Sequence, residues 1–405
     1  MPQVIAEIRM RVPPTPLLIA LILCLLCDWY IFRCIRSGKS GGFGSKVYIA
    51  FSTLCYCVLG VALMLPRRDG DNAMLLTVMW MLFSFATVYL SKVIYVVIDL
   101  IGRIPQLFRC KRMSYSRIIA GVMSVIVFLL MWWGALVNRF SIDTVRLDFS
   151  DPSLPQSFDG YKIVQISDLH VGTFGDNTAF LSRLVDSINV LKPDLVVFTG
   201  DIVNTRSDEL LPHVNTLSQL KAPDGVISIL GNHDYGDYAN WPSMSDKDRN
   251  LEDLKMMQRN MGWRLLCNET AYIKRGGDSI AIIGVENIGD PPFHIYGSLD
   301  KAYSSLNDTL FKVLLSHNPA HWRDSIRSND QINIPLTLSG HTHAMQMELA
   351  GVSPAALRYK EWGGLYFDPD STHSLYVNIG AGTVGFPARI GAKPEITLIK
   401  LRKRL

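Results

Sequence analysis

Five short segments between Asp168 and His343 hold most of the residues that could do chemistry. They read Asp168-Leu169-His170, Gly200-Asp201, Gly231-Asn232-His233-Asp234, Ser316-His317-Asn318 and Gly340-His341-Thr342-His343. Aspartate offers anionic oxygen, histidine offers neutral nitrogen, and an asparagine carbonyl adds a weaker oxygen. That donor set suits hard-to-borderline divalent cations. A pair of ions needs one shared anionic ligand, and the central Asp201 is the candidate bridge. Two ions roughly 3.5–4 Å apart can hold a bridging hydroxide and clamp both oxygens of an in-line displacement at phosphorus. His233, next to Asn232, is left over. It could face the leaving group as general acid, with Asp234 as its orienter. His213, His294, His321 and His373 lie outside these segments and are expected in the core or on the surface.

Each segment follows an apolar, β-rich run: YKIVQIS, DLVVFT, GVISIL, FKVLL and IPLTLS. Ligands carried just past buried strands sit where sites of open α/β sheets sit, at the C-terminal strand ends. Between the strands the pattern calls for helices near 178–191, 208–220, 246–260 and 299–306. A hairpin-like pair, WRLLCNETAYIKR and DSIAIIGVE, turns at Gly276-Gly277, and the chain ends in the strands SLYVNIG and EITLIKL. Strands alternating with helices and closing in a β-rich tail imply a layered α/β sandwich, sheets inside and helices outside.

Taken in order, the five segments resemble the calcineurin-like metallophosphoesterase superfamily, whose pattern is D-x-H, G-D-x-x, G-N-H-[DE], H and G-H-x-H. The resemblance covers about residues 160–401. It implies an α/β/β/α metallophosphoesterase sandwich and two divalent metal ions (Mn, Zn or Fe). Metal A would take Asp168, His170, Asp201 and His343. Metal B would take Asp201, Asn232, His317 and His341, and His233 would be the catalytic histidine. The closing text, VNIGAGTVGFPARIGAKPEITLIKL, is similar to the membrane-anchored, YkuE-like subgroup. Two positions depart from it. Ala344-Met345 precedes Gln346 where the subgroup has paired glycines, at a place expected to line the mouth, and Asn204 stands where an acid is common. Two insertions with aromatics could frame a substrate: Tyr235 to Arg249 with Tyr235, Tyr238 and Trp241, and Val352 to Asp370 with Tyr359, Trp362, Tyr366 and Phe367. Arg358 and Arg389 could meet a second phosphate. No substrate-binding residue follows from the motifs themselves.

The other half of the organisation is apolar. The chain of 405 residues is 48% hydrophobic, and the excess lies before residue 141. Pro16 to Phe32, Val47 to Leu65, Met74 to Ile101 and Ile118 to Val137 are four spans, with Asp28, Lys92 and Asp99 as ionisable interruptions. Those three groups could be functional, or they could tie helices together. The reading divides the chain into a four-helix transmembrane region at 1–140, a linker at 141–160 with Pro152 and Pro155, and a catalytic domain at 161–405. Residues 1–150 carry 16 Lys and Arg against 7 Asp and Glu, and the remainder carries 24 against 29. The acidic catalytic part gives no support for nucleic-acid binding. Six of seven cysteines, Cys24, Cys27, Cys34, Cys55, Cys57 and Cys110, lie in or beside the spans, so the catalytic part, with Cys267 alone, has no internal disulfide.

Loop charge suggests orientation. Loop one carries Arg33, Arg36, Lys39 and Lys46, and loop three carries Arg103, Arg109, Lys111, Arg112 and Arg117, both without acids. In loop two Asp69 and Asp71 oppose Arg67 and Arg68. The positive-inside rule then puts loops one and three in the cytoplasm and the catalytic domain outside it, in the periplasm of a bacterium. Arg9 and Arg11 pull mildly the other way. The expected protein is a multi-pass membrane phosphoesterase in which a hydroxide held by two metals attacks a phosphoester, of a lipid or lipid-linked substrate. The alternatives are a periplasmic nucleotide or general phosphodiester hydrolase and a metal-stabilised sensor or scaffold without turnover. The oligomeric state is open.

Overall fold

The computed structural model describes residues 14–37, 41–66, 68, 70–370 and 372–404. Arg9, Arg11, Lys39, Arg67 and Asp69, which entered the charge reading, lie outside them. The described residues form two compact units: those within 1–65 and 80–132, and those within 66–79 and 133–405.

The first unit is built from α1 (Pro14–Arg36), α2 (Gly41–Met64), most of α3 (Asn72–Ile101), the short α4 (Ile104–Leu107) and α5 (Ser116–Leu136). Among the described residues four helices are long and apolar enough to cross a membrane, as the four spans required. Their outward side chains are apolar, for example Leu18, Leu54, Leu100 and Val125. The polar exceptions turn inward. Asp28 of α1 accepts hydrogen bonds from Tyr48 (2.6 Å), Ser52 (3.0 Å) and Tyr56 (2.9 Å) of α2, and from Tyr89 (2.7 Å) and Lys92 Nζ (2.7 Å) of α3. Lys92 therefore pairs across helices with Asp28. Asp99 instead takes Tyr30, Arg103 and Arg112. Both carboxylates act as interhelical ties.

The second unit is a two-sheet sandwich. One sheet has the order β1 (Asp143–Asp151), β12 (Glu395–Lys403), β2 (Lys162–Ile166), β3 (Leu195–Phe198), β4 (Val226–Ser228) and β5 (Trp263–Leu265). The other runs β10 (Gly364–Phe367), β11 (Ser374–Val377), β9 (Leu336–Ser339), β8 (Lys312–Leu315), β7 (Asp278–Gly284) and β6 (Glu269–Arg275). Strand alternation sorts the side chains into three layers of core. Ile163, Leu195 and Val197 meet Ile282, Val313 and Leu338 between the sheets. Val164, Ile166, Val196 and Phe198 face outward onto Leu181, Leu184 and Ile188 of α6 (Ala179–Val190) and Leu254 of α8 (Met244–Asn260). Ala281, Ile283 and Leu314 face Trp322 and Ile326 on the other side. The expected α/β/β/α layering is what forms.

Several expectations change in detail. The stretch expected as a linker contains β1, nine residues paired in parallel with β12. Its prolines, Pro152 and Pro155, lie just beyond the strand and masked the alternating DTVRLDF. The helix expected over 208–220 is broken at Pro212 into a 3₁₀ segment, Ser207–His213, and the single turn α7 (Val214–Leu217), because proline cannot supply the backbone N–H. The helix expected over 299–306 shrinks to α9 (Leu299–Ala302). Loop two folds with the sandwich: Asn240 N donates to Arg68 O at 2.9 Å and Asn72 Nδ2 to Gly172 O at 2.9 Å.

Breaking a buried ion pair strands a charge, whereas removing both partners does not. Asp28→Ala should therefore destabilise the detergent-solubilised protein by about 3–5 kcal/mol. Asp28→Ala combined with Lys92→Met should recover most of that loss. Equal melting temperatures for Asp28→Ala and the parent would end the tie reading.

Candidate metal centre

Five strand ends converge on one buried spot. Asp168 and His170 follow β2, Asp201 follows β3, Asn232 and His233 follow β4, His317 follows β8, and His341 and His343 follow β9. The seven residues expected to hold metals are all brought together. Asp168, His170 and His343 form one group, and Asp201, His317 and His341 form another, with the ligand atoms of each within 4.8 Å of one another. His170 Nε2 is 3.0 Å from His343 Nε2, which is 3.3 Å from Asp168 Oδ1. In the second group His317 Nε2 lies 3.2 Å from Asp201 Oδ2, 3.1 Å from Asn232 Oδ1 and 3.3 Å from His341 Nδ1. Asp201 Oδ2 is also 3.6 Å from His170 Nε2, so one oxygen faces both groups. Its other oxygen, Oδ1, is taken by the His233 N–H at 2.8 Å. Lone pairs of neutral nitrogens and carboxylates meeting this closely in a buried place fit divalent cations.

A surrounding set of contacts decides which atom each ligand presents. His317 Nδ1–H donates to Thr199 O (2.8 Å), which leaves Nε2 for the centre. Asn232 Nδ2 donates to Tyr238 OH (2.8 Å), which turns Oδ1 inward. His341 Nε2 meets Tyr359 OH at 3.3 Å and presents Nδ1. The loops themselves are tightly constrained. Asp168, His170, Asp201, His341 and His343 all have left-handed backbones, with φ between 43° and 75°, a region L-residues avoid. Gly231 leaves room for Asp201: a Cβ there would lie 2.2 Å from Asp201 Oδ1.

Electrostatics prepares the donors. Burial, aided by neighbouring His233 and His343, holds the His170 imidazole well below its usual pKa, and burial beside His317 pushes His341 down to about 3. Both are neutral at physiological pH, as ligands must be. Burial works against the charged forms of Asp168 and Asp201, but adjacent imidazoles outweigh it and hold both carboxyls below the ordinary range. Burial would also lower His317, yet the charge and hydrogen bond of Asp201 raise it to about 9.

Asp234 requires a correction. Its carboxylate does not reach His233. It accepts from the backbone N–H groups of Gly231 (2.8 Å), Asp201 (2.9 Å), Ile202 (2.9 Å) and Val203 (3.3 Å), pinning the loops after β3 and β4 to each other. Burial and the charge of Asp201 push it up to about 7, opposed by those donors. The orienter of His233 is the Asn204 carbonyl, 2.6 Å from Nδ1. A main-chain oxygen leaves no trace in residue types.

Both arginines bind groups of the protein itself. Arg389 is fully buried and donates to the carbonyls of Gly382 (2.7 Å) and Ile379 (3.0 Å), with Nη2 3.5 Å from His343 Nδ1. Arg358 pairs with Asp290 at 2.7 Å. Of the seven aromatics expected to frame a substrate, Tyr238 and Tyr359 reach the histidines, with ring centroids 4.3 Å from His233 and 5.5 Å from His341. Tyr235 is buried and stacks on Tyr296, Trp241 lies beneath Arg206, and Phe367 is exposed. Phe293, which no sequence pattern singled out, stands edge-on to His341 at 4.7 Å. Ala344 and Gln346 are buried, so only Met345 of that trio can line the mouth, and all three have positive φ, the conformation glycine adopts freely. His213, His321 and His373 are core residues and His294 is exposed, as expected.

The calcineurin-like phosphoesterase family matches residues 161–345, and the transmembrane domain of a probable calcineurin-like phosphoesterase matches residues 11–139. The uncharacterized metallophosphoesterase YkuE of Bacillus subtilis is 33% identical over 271 residues, 64% of this chain and 86% of that one. This chain belongs to the calcineurin-like metallophosphoesterases. A bovine transmembrane protein with metallophosphoesterase domain is 32% identical over 260 residues, 62% of this chain and 54% of that one. The UDP-2,3-diacylglucosamine pyrophosphatase LpxG of Chlamydia trachomatis is 29% identical over 321 residues, 67% and 93% of the two chains. The chain is thus a membrane-associated metal-dependent phosphoric ester hydrolase with, among the described residues, two candidate groups of metal ligands.

The raised His317 sets a pH signature for metal uptake. Near neutral pH the ion-free imidazole holds a proton that a cation must displace, while His170 and His341 have none to give. Loading the second group should release about one proton near neutrality and none well above pH 9. Calorimetry in buffers of different ionisation enthalpy measures this number, and a pH-independent release would exclude His317 as the source.

Proposed function

We propose that this phosphoesterase hydrolyses the phosphoester or pyrophosphate of a lipid or lipid-linked substrate at a two-metal centre. The observation that carries the two-metal reading is Asp201 Oδ2, shared between the His170 and His317 groups while Oδ1 is held by a backbone N–H. Bound there, a pair of divalent ions would supply Lewis acidity toward the phosphoryl oxygens and lower the pKa of a water enough for attack on phosphorus. Asp168, His170, Asp201 and His343 would hold one ion, and Asp201, Asn232, His317 and His341 the other. His233 stands outside both groups, its ring 4.8 Å from that of His170. Its Nδ1–H donates to Asn204 O, so Nε2 is the atom that can pass a proton to the departing oxygen.

The lipid reading is supported by the spans carried on the same chain, by the aromatic side chains of Tyr238, Phe293 and Tyr359 around the histidines, and by the similarity to an enzyme named for a diacylated sugar nucleotide. A screen of lipid extracts with the purified full-length protein tests it. Release of phosphate or a phosphorylated headgroup is the expected result. Turnover of nucleotides alone would make the spans an address, and no turnover with any phosphoester would favour a scaffold. Asp201→Asn should abolish most activity and bound metal together. His233→Ala should keep its metals and still cleave an activated aryl phosphoester. On an ester with an alkoxide leaving group it should lose roughly 10²–10⁴-fold, because that oxygen needs a proton. Equal loss on both substrates would remove the acid role.

The catalytic domain is proposed to face away from the cytoplasm, on the strength of loops one and three. A reporter active only outside the cytoplasm should work at the C-terminus and fail beside Lys111. The reverse pattern would turn the protein over.

A further inference from the structure

We infer that the loop-one and loop-three ends of the spans form a binding site for the phosphate headgroup of an anionic membrane lipid, separate from the metal centre. A cavity of about 320 Å³ opens there, lined by Trp29, Tyr30, Arg33, Cys34, Ser37, Arg103 and Arg117. Its volume falls in the roughly 300–1,000 Å³ range of small-ligand sites. Among the described residues around it the charge does not balance. Arg103, Arg112 and Arg117 share one carboxylate, that of Asp99, whose side chain is fully buried. Arg103 binds it at 3.0 Å, but Arg117 stays 4.0 Å away with its side chain 56% exposed. Arg33 adds a fourth guanidinium, over the Trp29 ring at 5.2 Å.

The donors are also poorly spent. Arg103 Nη2 points at Cys34 Sγ at 3.4 Å, a weak acceptor. Several guanidinium forks converging on a cavity match the oxygens of a phosphate, which accepts bidentate bonds. The surroundings indicate that the phosphate arrives on a lipid. Trp29 sits in the last two turns of an apolar helix, and aromatic side chains favour the headgroup level at such helix ends; Leu25, Leu26 and Trp29 expose an apolar surface along which acyl chains can lie. Basic recesses between helix ends are favourable places for anionic headgroups.

The test uses the full-length protein purified in mild detergent and transferred to nanodiscs of phosphatidylcholine with or without phosphatidylglycerol. Native mass spectrometry should find phosphatidylglycerol retained by the parent. Arg33→Gln with Arg117→Gln should lower its affinity about thirtyfold. Arg109→Gln with Lys111→Gln, basic positions of loop three outside the cavity, should leave it unchanged. All three proteins should hydrolyse a soluble aryl phosphoester equally, which reports that they are folded. If the cavity variant is misfolded, Arg117→Gln alone is read in its place. Equal retention by parent and cavity variant, or equal loss in the loop control, overturns the site. If inorganic phosphate alone raises the melting temperature of delipidated parent as much as phosphatidylglycerol does, the ligand is the free anion and the lipid assignment falls.

Discussion

Two buried imidazole nitrogens 3.0 Å apart, with a second pair 3.3 Å apart beside a shared aspartate, form an arrangement fitted to a cation. Much of the sandwich serves to enforce it. Two sheets deliver five loops to one place, and the loops accept backbone conformations that would otherwise relax. Asp234 clamps two of them, Thr199 and Tyr359 choose the nitrogens that face inward, and glycine at 231 gives Asp201 its space. The local cost is offset by three layers of core that hold the strand ends fixed.

The residues of the two candidate ligand groups were legible because each is a side chain with an unmistakable chemistry, spaced in short segments after apolar runs. What surrounds them was less so. Asp234 is adjacent to His233 in the chain, and adjacency suggested partnership, but the turn sends the two side chains in different directions. The true partner of His233 is a carbonyl, which every residue has. Phe293 lies in a loop with no periodicity, and its place beside His341 depends on how the segments before α9 and after β9 come together. Arg389 reads as a surface cation by type, and only the fold reveals the carbonyls of Ile379, Gly382 and Lys393 waiting for it. Layering and strand order of the central strands followed from pattern, whereas β1 was hidden by the prolines behind it.

Within the spans the same logic operates in a different solvent. Where no water can satisfy a carboxylate, Asp28 collects five donors from two neighbouring helices, so its charge is met entirely inside the bundle. Asp99 meets a surplus of arginines instead. One carboxylate closes a network, and the other leaves it open to an anion. The three ionisable interruptions seen in the apolar sequence thus divide into a finished tie and an unfinished one.

The position of β12 bears on how the protein is made. It lies between β1 and β2, in parallel with one and antiparallel to the other, so residues 143–151 and 162–165 are joined through residues 395–403. Until the ribosome has synthesised β12, β2 keeps an open edge and β1 has no neighbour. The sheet that carries Asp168 and Asp201 therefore closes only after residues 395–403 have been translated, with pairings about 250 residues apart. A growing polypeptide already anchored by its spans must keep that edge from pairing with other chains during this interval, which makes biosynthesis the stage at which the domain is most exposed to aggregation.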